Sequence, residues 1–514
     1  MSYDRKHTAP AGGVQGPLVL GELTRTVLTA LSDGARSRGG PLPAGGPEAV
    51  AARVRAACSP VLPRHGTGAQ AALRTLVTAV ARGAADPADP YCVAHLHCPP
   101  LAVAAAADLA ASALNPSMDS WDQAPAAAAI EAEVSAALAA LVHPGRPSPD
   151  ALITSGGTES NLVALLLARE RARAAGTVPL TVVCGSAAHH SVHRAAWTLG
   201  LPAPVTVDCP GGTLDPADLD RALAGRTGPL LVVATAGTTD EGLIDPLQEI
   251  ARVCAAHGAE LHVDAAYGGP LLFSDHLAPR LAGLGAAVSV TLDLHKLGWQ
   301  PVAAGVLAVA DTALLDDLAL RADYLNAEDD TEAGLPDLLG RSIRTSRRPD
   351  ALKIAVTLRA LGRDGLGTLV EHCVRTAGAL AAAVERHPAL RAHPRSPGIS
   401  TVLFRPLAAD DLPDGGDALV AEIRRVLLAE GRAVLGRARA ADADGTRRLW
   451  LKATLLHPRA DADDLTGLLD LVAEYADALP RTTPSPAPAR VVDPRKPSEA
   501  PRPTAGHAPP GEHR

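Results

Sequence analysis

Aromatic residues are scarce in this sequence: they make up only 2% of its 514 residues, although hydrophobic residues as a whole reach 47%. The hydrophobic share is that of a globular protein, and this length supports two or three domains with a large core. Alanine supplies much of it, which predicts many helices.

An excess of positive charge is also missing, because the formal net charge is −8. This balance excludes wholesale nucleic-acid binding.

The seven cysteines are odd in number, scattered and free of any CxxC pair, which is typical of a reducing cytoplasm and excludes a structural zinc site. Residues 1–13 lack the apolar segment of a signal peptide, and the longest apolar candidate for a membrane span, residues 101–118, contains Asp108 and Pro116. We therefore expect a cytoplasmic protein without a membrane partner.

Several apolar stretches end in polar clusters and are separated by helical segments. The stretches of strand type, with the polar ends of two of them, cover residues 181–184, 230–239, 263–268 and 286–292. This alternation predicts an α/β fold with a parallel sheet, whose functional site lies at the carboxyl ends of the strands.

Asp264 and Lys296 follow two of these stretches. A lysine amine that forms a Schiff base, together with a carboxylate that pairs with a ring nitrogen, is what an enzyme needs to hold pyridoxal phosphate. Taken singly, each residue has a simpler interpretation: a solvated strand end for Lys296 and a helix cap for Asp264.

A glycine-rich turn at residues 153–161 opens a helical stretch. Glycines let backbone amides approach an anion, and a helix N-terminus favours negative charge, so this turn is a candidate phosphate site. The alternative is a well-capped turn that binds nothing. His189 follows another strand and could stack on a flat heterocycle, or it could be a surface histidine.

Together these motifs resemble the group II pyridoxal-phosphate decarboxylases, a family that acts on aromatic amino acids, glutamate, diaminobutyrate and lysine. The resemblance covers residues 91–475. Its motifs occur in family order: Thr-Ser-Gly-Gly-Thr-Glu-Ser-Asn, Ala-His-His-Ser-Val, Ala-Gly-Thr-Thr-Asp, His-Val-Asp-Ala-Ala-Tyr-Gly-Gly, Asp-Leu-His-Lys and a block at residues 346–353.

The resemblance implies a fold of type I, like that of aspartate aminotransferase. A large domain would hold a mostly parallel central sheet flanked by helices, and a smaller C-terminal α+β domain would follow. The expected divisions are an N-terminal extension with one helix, a helical segment, the cofactor-binding domain, the small domain and a disordered Pro-rich tail, at residues 1–45, 46–105, 106–345, 346–480 and 481–514. The amphipathic stretch at residues 18–31 would pack on a partner subunit in a homodimer; a loose helix is the alternative.

The resemblance also implies the roles of individual residues. Lys296, Asp264, His189 and Tyr324 would be catalytic: Lys296 as the Schiff-base lysine, Asp264 beside the ring nitrogen, His189 on one ring face and Tyr324 as the proton donor to Cα. The remaining cofactor contacts would be Gly156, Gly157, Thr158, Thr239, Asp245, Ala266, His295 and, from the neighbouring subunit, Arg347. Pro349 and Ala355 depart from the aromatic residues usual in relatives, and Tyr324 has the alternative of a half-buried tyrosine with no role.

The substrate is suggested by Asp119, where aromatic amino acid decarboxylases carry a phenylalanine. A carboxylate there suits a substrate side chain that ends in an ammonium group; otherwise Asp119 caps a helix or pairs with an arginine. Lys452 lies where glutamate decarboxylases bind the substrate α-carboxylate with arginine. The sequence therefore predicts decarboxylation of a diamino acid such as L-2,4-diaminobutyrate, lysine or ornithine. The alternatives are a glutamate, aspartate or aromatic amino acid decarboxylase, an aminotransferase and a non-catalytic homologue.

Overall fold

The computed structural model describes residues 8–176, 179–319, 328–413 and 415–479. Two sheets organise it, and helices cover them. The eleven strands are β1 Asp150–Thr154, β2 Thr181–Gly185, β3 Val205–Val207, β4 Leu230–Thr235, β5 Glu260–Asp264, β6 Ser289–Asp293, β7 Gly305–Val309, β8 Leu390–Ala392, β9 Thr401–Pro406, β10 Gly436–Ala441 and β11 Arg447–Thr454.

Helices precede, separate and follow these strands. In the described residues they are α1 Gly16–Arg38, α2 Gly46–Cys58, α3 Ala69–Gly83, α4 Ala102–Leu114, α5 Pro125–Val142, α6 Gly157–Ala174, α7 Ser191–Thr198, α8 Pro216–Leu223, α9 Leu247–Ala256, α10 Glu328–Glu332, α11 Ala351–Arg386, α12 Leu407–Asp410, α13 Asp417–Ala429 and α14 Thr466–Ala478.

The large sheet has seven strands in the order β1-β7-β6-β5-β4-β2-β3. The pairs among β2, β3, β4, β5 and β6 are parallel, whereas β7 runs antiparallel to both of its neighbours. Every residue of β4, β6 and β7 is buried, as expected for strands covered by helices on both faces. The carboxyl ends of β1, β2, β4, β5 and β6 therefore meet at one edge, where β7 begins.

The second sheet is antiparallel, in the order β10-β11-β9-β8, and has a core of its own with α13 and α14. The segment before α4 joins it, because the backbone N–H of Val93 donates to the carbonyl of Val434 and the N–H of Thr454 donates to the carbonyl of Val93. The predicted fold class, a mostly parallel sheet with helices followed by a small α+β domain, is confirmed. The predicted tail at residues 481–514 lies outside the described residues.

One described helix, α5, is long and apolar enough by length and composition to cross a membrane. Its Glu131 side chain pairs with Arg347 in the interior, where these side chains are 6% and 1% exposed. A buried ion pair of this kind fits a helix that packs inside the protein.

Candidate active site

Lys296 lies just beyond the end of β6. Its Nζ is 2.9 Å from Asp293 Oδ2, and His295 Nε2 is 3.6 Å from the same oxygen. The other oxygen of Asp293 and Nδ1 of His295 are buried and have no hydrogen-bond partner within the described chain. Burial lowers the pKa of His295, and the nearby Asp293 partly opposes this effect. Strand β6 thus delivers an amine, a carboxylate and a neutral imidazole to one point.

The glycine turn between β1 and α6 lies against this group. A Cβ on Gly156 would approach His295 Cε1 to 2.9 Å, and one on Gly157 would approach the Ala266 Cβ to 3.1 Å. Gly156 also has a φ of 150°, which only glycine adopts readily. Thr158 is exposed in the first turn of α6. The turn therefore places two glycines and an exposed hydroxyl at a helix N-terminus, which is a fitting cradle for a phosphate.

Asp264 ends β5 with a carboxylate that is only 5% exposed. Its Oδ2 accepts a 2.7 Å hydrogen bond from Asn161 Nδ2, and its Oδ1 accepts a 3.1 Å bond from the backbone N–H of Ala266. Two donors hold the carboxylate in one orientation, and lone pairs remain on both oxygens for a further cationic donor.

His189 follows β2, as predicted, and is half-buried. Its Nδ1 is 2.8 Å from Ser191 Oγ. Burial lowers its pKa, while Asp264 and Asp293 oppose the shift and Lys296 adds to it. These influences place the imidazole within electrostatic reach of the carboxylate and the amine. Beside it opens a cavity of about 240 Å³ with a largely polar lining that includes Thr239, Arg439 and Arg447.

Thr239 and Asp245 follow β4. Both Asp245 oxygens are taken by backbone groups, Oδ1 by the N–H of Leu214 at 2.8 Å and Oδ2 by the N–H of Thr235 at 2.7 Å. Burial raises the pKa of Asp245 to about 6. Asp245 thus fixes the end of β4, whereas Thr239 is exposed at the cavity.

Lys452 reaches the same region from β11. Its Nζ donates a 2.9 Å hydrogen bond to the carbonyl of Thr239, and burial lowers its pKa. This contact leaves two N–H groups of the ammonium for another acceptor.

Asp119 is 6% exposed. It accepts hydrogen bonds from Ser117 Oγ at 2.9 Å, from Gln123 Nε2 at 2.8 Å and from Ser346 Oγ at 3.4 Å. These three donors are neutral, and one of them comes from the block at residues 346–353.

Arg347 makes a bidentate pair with Glu131 of its own chain, with both N···O distances at 2.6 Å. Its Nε is buried without a partner in the described residues, so the predicted phosphate contact stays a prediction. Pro349 is buried and Ala355 packs at the edge of the core. Tyr324 lies outside the described residues.

Asn161 belongs to the motif of the glycine-rich turn, but the sequence analysis assigns no role to it or to the polar side chains around it. These are Ser191, His262, Ser289 and Thr291, and each is buried. A signal was available in the strands: His262 and Asp264 are two residues apart in β5, as are Ser289 and Thr291 in β6, so each pair shares a face. Polar residues on one face of otherwise apolar strands indicate a buried polar site.

The residues present fit pyridoxal phosphate. The structure supplies an amine at Lys296 and an oriented carboxylate at Asp264. It also supplies a neutral imidazole at His189 and a glycine turn whose space a Cβ on either glycine would occupy. No other common cofactor uses a lysine amine, a fixed carboxylate and an anion cradle together in this way.

Comparison with known proteins agrees with this geometry. Residues 58–406 match the family model described as the pyridoxal-dependent decarboxylase conserved domain. An L-2,4-diaminobutyrate decarboxylase of Rhizobium meliloti is 43% identical over 431 residues, which cover 81% of this chain and 84% of the relative. A second enzyme of that name, from Acinetobacter baumannii, is 31% identical over 443 residues, with 81% and 86% covered.

A solved structure is similar over nearly the whole length. It is the glutamate decarboxylase domain of a diaminobutyrate-pyruvate transaminase and L-2,4-diaminobutyrate decarboxylase from Vibrio parahaemolyticus. It has a TM-score of 0.79 and 30% sequence identity, and the alignment covers 92% of this chain and 99% of the other.

Proposed function

The chain belongs to the pyridoxal-dependent decarboxylase family, and from that premise we propose that it decarboxylates L-2,4-diaminobutyrate to the corresponding diamine. It is a carboxy-lyase that uses pyridoxal phosphate. The observation that carries the proposal is the set of side chains at one sheet edge, Lys296 beside Asp293 with Asp264 on the next strand. The identity of 43% with a diaminobutyrate decarboxylase over most of both chains supports the choice of substrate.

In this proposal the cofactor is held by residues from five strand ends. Lys296 would bind its aldehyde, and Asp264 would pair with the ring nitrogen. His189 and Ala266 would contact the ring, with Thr239 and Asp245 in the surrounding shell. The turn of Gly156, Gly157 and Thr158 binds the phosphate, with His295 beside it. Bound there, pyridoxal phosphate supplies a protonated ring that accepts the electron pair left on Cα when carbon dioxide departs.

The chain's own residues orient the substrate and move protons. The Asp264 carboxylate keeps a proton on the ring nitrogen, because an anion beside a cation favours the charged form. Lys452 pairs its ammonium with the substrate α-carboxylate, and the Tyr324 hydroxyl delivers a proton to Cα after carbon dioxide leaves. The Lys296 amine would then take the place of the product amine and so release it.

Asp119 selects the substrate in this proposal. Its carboxylate is buried and accepts hydrogen bonds from Ser117 and Gln123, and an ammonium group at the end of a substrate side chain would be a charged donor to it. An acidic side chain would be repelled at the same place.

We also propose a cytoplasmic homodimer in which α1 packs on the partner subunit. Support comes from the apolar side chains that α1 and α3 leave exposed, including Leu18 at 69%, Leu28 at 60% and Val80 at 64%. Isolated exposed leucines are ordinary, but several on two packed helices indicate an interface.

The test is product analysis by mass spectrometry. Purified protein loaded with pyridoxal phosphate would be incubated with L-2,4-diaminobutyrate, ornithine, lysine, glutamate, aspartate and aromatic amino acids. We expect diaminobutyrate to give its amine fastest and Lys296→Ala to give no amine at all. Faster turnover of glutamate or an aromatic acid would contradict the substrate assignment. Activity that survives in Lys296→Ala would contradict the mechanism.

A further inference from the structure

A chain of buried hydrogen bonds lies behind Asp264, and its centre is Asn161. The Asn161 side chain is fully buried. Its Nδ2 donates to Asp264 Oδ2 at 2.7 Å and to Ser191 Oγ at 2.8 Å. Its Oδ1 accepts from Thr291 Oγ1 at 2.9 Å and faces His262 Nε2 at 3.0 Å. Two donated and two accepted bonds use the full capacity of the amide.

The chemistry of these partners fixes the orientation of the amide. An ionised carboxylate only accepts hydrogen bonds, so the Asn161 NH₂ group must face Asp264 and its carbonyl must face His262. A flipped amide would set oxygen against oxygen at Asp264 and would leave buried groups unpaired, which is costly. Asn161 therefore has one favourable orientation.

His262 is neutral and has a defined tautomer. Burial lowers its pKa to about 4, so at neutral pH one ring nitrogen donates and the other accepts. Nε2 faces the Asn161 carbonyl and must carry the proton. Nδ1 then accepts from Ser289 Oγ, which lies 2.8 Å away.

The same amide reaches His189. Ser191 Oγ accepts from Asn161, so its hydroxyl proton is free to donate to His189 Nδ1 at 2.8 Å. His189 would then carry its own proton on Nε2. One buried amide thus sets the carboxylate of Asp264 and, through one hydroxyl, the imidazole of His189.

We propose that Asn161 is a positioning residue that holds the Asp264 carboxylate in register with the cofactor's ring nitrogen, and that His262 and Thr291 act by fixing the Asn161 amide. The inference rests on the proposed function, in which Asp264 pairs with that nitrogen. A network of neutral groups orients Asp264 without offering it a second positive charge or an acidic proton. The negative charge of Asp264 is therefore left to stabilise the proton on the ring.

The experiment compares two cofactors: pyridoxal phosphate and its analogue with carbon in place of the ring nitrogen. Their dissociation constants would be measured for the full-length wild type and for Asn161→Leu, Thr291→Val and His262→Phe. The matched control is His143→Phe, since His143 is also a buried histidine with its pKa lowered to about 4 by burial. His262→Gln, which keeps a donor for Asn161, serves as the rescue variant.

For pyridoxal phosphate we expect Asn161→Leu to weaken binding about tenfold to a hundredfold and Thr291→Val about threefold to tenfold. The loss of affinity in His262→Phe should lie between the losses in these two variants, and His262→Gln should recover most of the affinity that His262→Phe loses. With the carbon analogue the ratios of variant to wild type should fall toward one, because there is no ring nitrogen to pair. The pKa of the ring nitrogen in the bound cofactor, followed by NMR of ¹⁵N-labelled cofactor, should also be lower in the variants, since the ring proton is less stabilised.

Equal losses for both cofactors, of the size seen with His143→Phe, would overturn the inference because a purely structural role predicts them. Unchanged affinity in Thr291→Val and His262→Phe would overturn it too. These two variants keep the test valid if Asn161→Leu does not fold. A wild type that binds neither cofactor would instead refute the proposed function, and the inference would fall with it.

Discussion

At the scale of single residues, the active site depends on carboxylates in different surroundings. Asp264 accepts from an amide and a backbone N–H, Asp245 accepts from two backbone N–H groups, and Asp119 accepts from hydroxyls and an amide. Asp245 has no oxygen without a donor, so it is suited to fixing a strand end. The two hydrogen-bond donors to Asp264 are neutral, which leaves its charge available to a cationic ligand.

The proposed role of Asp119 leads to a prediction about specificity. Asp119→Asn keeps the shape of the side chain and one acceptor but removes the charge. We expect kcat/KM for L-2,4-diaminobutyrate to fall about tenfold to a hundredfold, because a hydrogen bond between charged groups is lost. Steady-state kinetics would measure the change, and Asp122→Asn, an exposed neighbour, is the control. An equal fractional loss for every amino acid substrate would contradict a role in selection.

At the scale of elements, the glycine turn depends on the strand beside it. Gly305 opens β7, and a Cβ there would clash with the Cα of Gly156. Contact this close between the two backbones requires glycine at residue 305. The antiparallel strand β7, which interrupts the otherwise parallel order, thus sets the position of the candidate phosphate cradle.

Gly305→Ala should displace that turn. We expect the affinity for pyridoxal phosphate to fall by at least about tenfold, a loss of roughly 1.4 kcal/mol, while the far-ultraviolet circular dichroism stays unchanged. Fluorescence titration with the cofactor would measure the affinity. Gly378→Ala is the matched control, because Gly378 lies in α11 with open space around it. Normal cofactor binding by Gly305→Ala would show that the turn adjusts to a side chain.

At the scale of the whole molecule, the proposed dimer gives a prediction about assembly. Leu28→Glu places a charge on α1 at a side chain that is 60% exposed in the single chain. A charge buried at an interface without a partner is strongly unfavourable. We expect sedimentation analysis to show a shift from dimer toward monomer. Leu62→Glu, at a loop residue that is 92% exposed, should leave the dimer intact. A variant Leu28→Glu that remains fully dimeric would exclude α1 from the interface.

Stability of the whole chain should depend on pH through its buried histidines. Burial lowers the pKa of His143 from 6.5 to about 4, so between these values the unfolded chain binds a proton that the folded protein does not. Above pH 6.5 His143 is neutral in both states and does not lower the free energy of unfolding. As the pH falls toward 4, proton binding by the unfolded chain lowers this free energy by about 3 kcal/mol in all. His262 acts in the same direction, whereas Asp245, with its pKa raised to about 6, acts in the opposite one.

His143→Phe isolates the contribution of His143, because neither of its ring nitrogens makes a hydrogen bond of good geometry in the described chain. Calorimetry across this pH window should show that the Tm of the wild type falls more steeply with acid than the Tm of the variant. Parallel curves would mean that His143 is protonated in the folded state.

The sequence by itself determined the fold class and the family, and it predicted the positions of a cofactor amine, carboxylate and phosphate turn. It could do so because these groups follow buried strands directly, and the carboxyl ends of parallel strands meet at one sheet edge whatever their spacing in the chain. Only the tertiary structure decided what lies behind them. Asn161 meets an Asp264 that is 103 positions away, and Arg347 meets a Glu131 that is 216 positions away. Such contacts depend on how α5 and α6 pack on the sheet, and no local pattern in the sequence specifies that packing.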